Sequence, residues 1–319
     1  MRTSWPTIIS RRRTWRCEEG RTIAFQILLD ICIGGITLGG MYALIAFTLS
    51  LALATTHVLN VAHGSIIVLG SALATFLLGF LHLNPALAVL IFLVAFLLLG
   101  FLFEAGIVKR MLHQPPDTVL IASIVTTFGL ALALETCLGF YWARLVHPEP
   151  SFSLTFRVPA IVLPGGFVLP TRRLIILAFA VVAITLFHLF LKRTRLGKDA
   201  RALSQNYEGA LVVGVNPRAV SMAIFTLGMA VTALCGAFFV LTVPLDPYDG
   251  MRLTLVALII VVLGGVGSLP GVLVAGLLLG IAEVLTGFLL GPAWSPVVFL
   301  ALLFLMLMLR PEGLLGERH

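Results

Sequence analysis

Nine apolar stretches, at 24–56, 65–81, 85–103, 118–140, 174–191, 219–243, 253–266, 271–290 and 294–309, set the terms on which this chain can fold. Most are close to the ~20 residues an α-helix needs to cross a hydrocarbon core about 30 Å thick. A water-soluble globule could not cover them, because 60% of the residues are apolar and only 11% charged, less than half the share usual in soluble domains. Lipid must be the main solvent. Backbone in lipid has to satisfy its own polar groups, which favours helices. The chain therefore reads as an all-α polytopic integral membrane protein with about 8–10 transmembrane or re-entrant helices, and no independent soluble domain fits in its length.

The charges that remain report orientation. An excess of Lys and Arg over Asp and Glu gives +7, which basic cytoplasmic loops alone explain, so nucleic acid is not an expected partner. Loop 192–218 holds Lys192, Arg193, Arg195, Lys198, Arg201 and Arg218 and is the strongest cytoplasmic segment. Counting spans outward from it puts 104–117 and the tail from Arg310 inside, and 141–173 and 244–252 outside. Residues 1–22, with Arg2, Arg11, Arg12, Arg13, Arg16 and Arg21, are expected to form a basic arm outside the fold. The single membrane domain then runs from 23 to 319. The apolar stretch after the arm runs far beyond a signal-peptide core, and no small-residue cleavage site closes it.

At about 50 Å when helical, stretch 24–56 is too long for one perpendicular span, and Gly34 and Gly35 mark an expected break. Segment 57–64 (His-Val-Leu-Asn-Val-Ala-His-Gly) is polar for its place between two apolar runs, as a broken or re-entrant element facing protein would be. Three full spans before Lys109 would put the arm outside, so a break or an incomplete crossing, with the N-terminus inside, is the expectation. Gly35 and Gly39, and Gly276 and Gly280, are spaced four apart for close helix packing.

Few ionisable residues lie within the stretches: Asp30, Glu135, Glu283, His57, His63 and His188, with Glu104 at a span end. Each must face the bundle interior or water, either as part of a pathway or as a packing group. No catalytic residues are expected. His57 and His63, six apart, do not share a helical face as two metal-binding His would, and no serine sits in a nucleophile elbow. Gly264-Gly265-Val266-Gly267-Ser268 lacks the Gly-Lys-Ser/Thr ending of a phosphate loop. Cys17, Cys32, Cys137 and Cys235 show no ligand spacing and read as small buried hydrophobes. No metal or cofactor is expected. In loop 192–218, Ala200, Leu203 and Tyr207 recur at helical spacing, with Lys198, Arg201 and Gln205 around them. Such a helix either lies on the membrane surface or docks into a groove on a soluble partner.

These residues together resemble the permease subunits of the branched-chain amino acid importers of the ATP-binding cassette class, in particular the H-type subunit. The similarity rests on Gly35-Ile-Thr-Leu-Gly39-Gly-Met-Tyr42-Ala43-Leu44, on Asn60-Val61-Ala62-His63-Gly64, and on Thr194-Arg195-Leu196-Gly197 with Arg201-Ala202, Glu208 and Gly214. It extends to Gly264-Gly265-Val-Gly267-Ser268, Gly271, Gly276, Gly280 and Glu283, and to Arg310-Pro311-Glu-Gly313-Leu314-Leu315-Gly316. Three features depart from the family: Ser65 stands where an acidic residue commonly follows Asn-x-Ala-His-Gly, only Lys109 and Arg110 remain of an Arg-rich run, and the N-terminal arm has no family counterpart. The resemblance implies a multi-pass subunit of the bacterial inner (cytoplasmic) membrane that forms the translocation pathway for branched-chain amino acids or a related small polar solute. It implies as partners a second permease subunit, two cytoplasmic ATPase subunits that hydrolyse the ATP, an extracytoplasmic solute-binding protein and the lipid bilayer. It places ATPase coupling on Leu196, Gly197, Asp199, Ala200, Arg201 and Glu208, with Gly197 permitting the turn and Ala200 and Leu203 forming the docking face. Asn60, His63 and Gly64 either line the pathway or satisfy the backbone of a break. A stand-alone secondary transporter using Asp30, Glu135 or Glu283 as an ion site is the alternative.

Overall fold

The structure, a computed structural model, describes residues 7–111, 115–145, 151, 152, 154, 161–163, 167–310, 313 and 314. Side chains are described from residue 26 onward, apart from those of 116, 117, 145 and 162–169. The helices in order are α1 (Thr7–Thr56), α2 (His63–Ala74, extended by a π-helical turn, Thr75–Phe80) and α3 (Pro85–Phe103, extended by π-helical Glu104–Val108 into α4, Lys109–Met111). Then come α5 (Pro116–Leu145), an antiparallel hairpin of β1 (Ile161–Leu163) and β2 (Phe167–Leu169) that pairs Ile161 with Leu169, and α6 (Thr171–Arg193). The chain continues through α7 (Arg195–Gln205), α8 (Tyr207–Val212), α9 (Pro217–Phe239), α10 (Gly250–Gly264), α11 (Leu269–Leu289) and α12 (Ser295–Leu309). Among the described residues, eight helical stretches are long and apolar enough to cross a membrane, and α10 is a shorter apolar helix. The chain is an all-α polytopic membrane protein.

Several helix starts are written locally. Asn84 and Asn216 cap the first turns of α3 and α9, each followed by proline at the first helical position, where no amide donor is needed. Ser268 does the same for α11 by accepting from Gly271 N at 3.2 Å.

Helix α1 is the axis of the bundle. Its residues 40–50 are buried without interruption, packed by α6, α9, α10, α11 and α7. Against α11 the approach is closest. A Cβ at Gly276 would stand 2.7 Å from three atoms of Ala43, and one at Gly39 would stand 2.7 Å from Leu277 Cα. Only hydrogen fits, which is the use the four-residue glycine spacing serves. The break expected at Gly34 and Gly35 is absent: α1 is helical through both, and Gly35 lies against Ile281. The glycines are spent on packing, so the excess length does not end in a kink.

This settles which ends of the helices meet. Asp30 of α1 pairs with Arg173 in the first turn of α6 at 2.6 Å. The other end of α1 meets the α7–α8 segment, with the His57 ring 6.1 Å from that of Tyr207, and the turn between α10 and α11, where Ser50 Oγ accepts from Gly267 N at 2.7 Å. Residues 57–80 then run back to the far end, where Leu77 and Leu154 share a cleft with α3 and α9. Three crossings thus precede Lys109, and residue 26 stands at the end opposite the basic loop, against the expected inside N-terminus. Side chains of the arm lie outside the described residues. Cys235 is buried as expected, but Cys32 and Cys137 are exposed on the bundle surface, where an apolar thiol is compatible with lipid; the side chain of Cys17 lies outside the described residues.

Candidate functional site

The polar segment between α1 and α2 is a true break, and its backbone is satisfied by side chains from distant helices. His57 leaves α1 with φ of 57°, a left-handed conformation that turns the chain out of the helix. Leu59 N donates to Ser123 Oγ at 3.1 Å and Val61 N to Thr127 Oγ1 at 2.9 Å, both on α5. Thr254 of α10 accepts from Gly64 N at 2.8 Å and donates to Val61 O at 2.8 Å. Asn60 folds back locally, its Oδ1 accepting from Ala62 N at 3.0 Å. An unpaired amide in an apolar medium costs several kcal/mol, so these four side chains are what permit non-helical backbone within a bundle of membrane-spanning helices. Replacing Thr127 with valine keeps the shape and removes the acceptor. We expect a loss of about 1–3 kcal/mol, read as a lower melting temperature of the detergent-solubilised protein.

His63 opens α2 and ties three helices together. Its Nε2 lies 3.0 Å from Ile45 O, 3.2 Å from Thr48 Oγ1 and 3.3 Å from Thr232 Oγ1, and the two hydroxyls are 3.0 Å apart. A carbonyl can only accept, so Nε2 carries the hydrogen and Thr48 donates to Ile45 O at 2.8 Å. Asn60 and His63 border a space shared with Thr48, Met229 and Gly228 that holds about 10 Å³, room for about one water. Gly64 has no such opening: it lies against Gly250 and Thr254 of α10.

Next to it, the Ser65 departure is explained. Ser65 Oγ donates to Glu135 Oε1 at 2.9 Å, and the same carboxylate accepts from the Met251 amide in the first turn of α10. An acidic group stands beside the start of α2 after all, supplied by α5. It also caps α10 by accepting from that first-turn amide, one of the donors a helix start leaves unpaired. Glu283, from α11, faces Tyr42 of α1 near Arg252 of α10.

At the basic end, α7 and α8 form two short capped helices: Thr194 Oγ1 accepts from Gly197 N at 3.0 Å and Asn206 Oδ1 from Gly209 N at 2.8 Å. Leu196, Arg201 and Glu208 are exposed and Asp199 is half-buried, while Gly197, Ala200 and Leu203 are buried. The apolar stripe of α7 thus packs on its own bundle, because α1, α6 and α9 offer it an apolar floor. Gly197 is helical and serves close approach, since a Cβ there would stand 2.5 Å from Leu191 Cα. The outward apolar surface lies elsewhere, on Leu211, Val212 and Val213, the two valines being 87% and 78% exposed. Sequence periodicity passes over them because a short apolar run at a helix end has no period to detect. Ser123, Thr127 and Thr254 escape it for a related reason: hydroxyls inside apolar helices usually bond their own helix.

Residues 31–307 match the family model described as the permease component of the branched-chain amino acid transport system. The chain is 27% identical to the high-affinity branched-chain amino acid transport system permease protein LivH of Escherichia coli (strain K12), covering 92% of this chain and 97% of that protein. It is 23% identical to the probable branched-chain amino acid transport permease protein LivH of Methanocaldococcus jannaschii, over 89% and 91% of the two chains. A shorter match, 29% identical over 46% of this chain and 35% of the relative, is to the permease protein LivM of the same E. coli strain. No solved structure matches the chain.

Proposed function

The chain belongs to the family of branched-chain amino acid transport permease components, and from that premise we propose that it forms the membrane pathway of an ATP-driven importer. The solute is a branched-chain amino acid or a small polar relative of one, and the membrane is the bacterial inner membrane. The match across nearly the whole span region carries this reading. Similarity to both LivH and LivM supports pairing with a second, related permease. Two ATPase subunits would dock on the basic end and hydrolyse ATP there, and a solute-binding protein would deliver substrate at the far end, where the β1–β2 hairpin lies. Alternation between the two access states needs a transmission element, and the exposed face of α7 and α8, with Leu196, Asp199, Arg201, Glu208 and the Val212–Val213 tip, suits that task. Gly197 and Ala200 would act from behind by fixing α7 to α6 and the bundle.

In this reading Asn60 and His63 stand at the narrowest point of the pathway, Gly64 holds them from behind by its close fit on α10, and the space beside Asn60 and His63 would widen if α1 and α9 separated. His63→Leu should lower uptake by about tenfold, the worth of one polar contact of ~1.4 kcal/mol, while the assembled complex is recovered at normal yield. Normal uptake by that variant rejects the pathway assignment. The whole reading is tested by reconstituting the complex in proteoliposomes: leucine uptake should need ATP on the ATPase side. Uptake driven by an ion gradient without ATP would return a secondary transporter instead.

A further inference from the structure

Helices α3 and α9 touch tightly in the half of the bundle nearer the basic end, where a Cβ at Gly100 would stand 2.7 Å from Thr226 Cα. Toward the far end, α2, α3 and α9 instead enclose a cleft that holds about 190 Å³. Its walls are Leu77 of the π-helical turn, Ala88, Val89 and Phe92 of α3, and Leu234 and Phe238 of α9. Leu154 borders it from the segment after α5, held by its amide, which donates to Val240 O at 3.4 Å. Every described residue that lines the cleft is apolar. Water would find no partner there, and an apolar cavity of about 150 Å³ is known to stay dry and to take up benzene. Left empty, the cleft forfeits the dispersion contacts of its walls. The chemistry therefore calls for an apolar occupant.

Depth and neighbouring surface say which one. Helix α9 starts at Pro217, directly after the basic segment, and Leu234 lies about 25 Å along it at ~1.5 Å per residue. Against a hydrocarbon core of about 30 Å, the cleft falls in the leaflet at the far end. The outward surface of α3 beside it consists of Val89, Leu90, Val94 and Leu98, each at least half exposed. Membrane helices meet through small residues, as this bundle does at Gly39, Gly100 and Gly276, whereas bulky aliphatic side chains pack equally well against lipid tails. A lipid tail suits this surface better than another helix. Val89 belongs to both places: it lines the cleft and is 50% exposed, so the cleft opens past it onto the lipid-facing side of α3.

We propose that the cleft between α2, α3 and α9 binds one acyl chain of a membrane phospholipid from the far leaflet. The chain enters past Val89 and lies against Phe92, Leu234 and Phe238, the last held in place by stacking on Phe179 of α6 with ring centroids 4.0 Å apart. A tail in the bilayer is already in hydrocarbon, so leaving water supplies no driving force. What favours occupancy is contact with walls that no side chain of the protein fills. The bound chain acts as a wedge that keeps the far half of α9 off α3, while the Gly100 contact joins the two helices at the other end. The site is independent of whichever solute the pathway carries.

The test uses the full-length protein in vesicles of phosphatidylethanolamine and phosphatidylglycerol, alone and with its co-expressed partner subunits. A fraction of the phosphatidylethanolamine carries a diazirine in the upper half of one acyl chain, and the adducts formed on illumination are mapped by mass spectrometry. Adducts on Val89, Phe92 and Leu234 should exceed those on Val297 and Leu300, exposed residues of α12 near the same end, by about tenfold. Ala88→Phe fills the cleft from the α3 side and should bring its adducts down to the α12 level, with those on α12 unchanged. Should that variant not be recovered, Ala237→Leu, at a half-buried wall position of α9, carries the same expectation. Equal labelling of cleft and α12, or cleft adducts that survive filling, overturns the proposal. Adducts lost on assembly with a second permease would identify that subunit as the occupant, and adducts displaced by leucine would identify the transported solute. Either result rejects the acyl chain.

Discussion

Gly276→Val is expected to remove the folded protein from the membrane almost entirely, with recovery of monodisperse material in mild detergent falling about tenfold or more. Three atoms of Ala43, two of them backbone, stand 2.7 Å from where the first added carbon would sit. Backbone on the buried face of α1 cannot step aside the way a flexible side chain does. Overpacking of this kind costs about 1–3 kcal/mol where neighbours relax, and here α1 would have to separate from α11 along the whole contact. The control is on the same helix. A Cβ at Gly287 would meet no atom within 4 Å, so Gly287→Val should be recovered like the parent protein. Equal recovery of both variants would show that the α1–α11 approach does not constrain the fold in this way.

The second large effect belongs to the basic end. On the proposed docking of ATPase subunits there, Val212→Asp combined with Val213→Asp should leave the permease folded and abolish their co-purification. Both valines are almost fully exposed at the tip of α8, and burying such a pair in a partner's groove contributes about 1.5–3 kcal/mol per side chain. Two carboxylates would add the cost of desolvating charge. Arg201→Glu, on the exposed face of α7, should weaken the same association to a smaller degree, because a rim charge is screened by water and salt. Undiminished co-purification of the double aspartate variant would remove the tip from the docking surface. Gly197→Glu cannot serve this purpose, since it would strike the end of α6 and disturb the fold itself.

The segments that cross the membrane are legible in the sequence because hydrophobic length is a local property, readable without knowing any neighbour. The break before His63 is legible for the same reason: polar residues between two apolar runs have to be excused by tertiary structure. The continuity of α1 is not. Gly34 and Gly35 carry the same signal whether they kink a helix or admit a neighbour, and only the position of Ile281 decides between them. The amphipathic pattern of α7 is legible as a pattern, but a stripe of Ala200 and Leu203 does not say whether its cover is internal or external.

The backbone of residues 57–64 is held by Ser123 and Thr127, 64 and 66 positions later than the amides they accept, and by Thr254, 190 positions later than Gly64. During synthesis, this stretch leaves the ribosome long before any of those hydroxyls exists. Its non-helical part cannot settle within the bundle until α5 has been inserted, nor lock in register until α10 follows. The second crossing in sequence is therefore among the last to be completed. A chain truncated before α10 should expose 57–64 to proteases that the full-length protein resists.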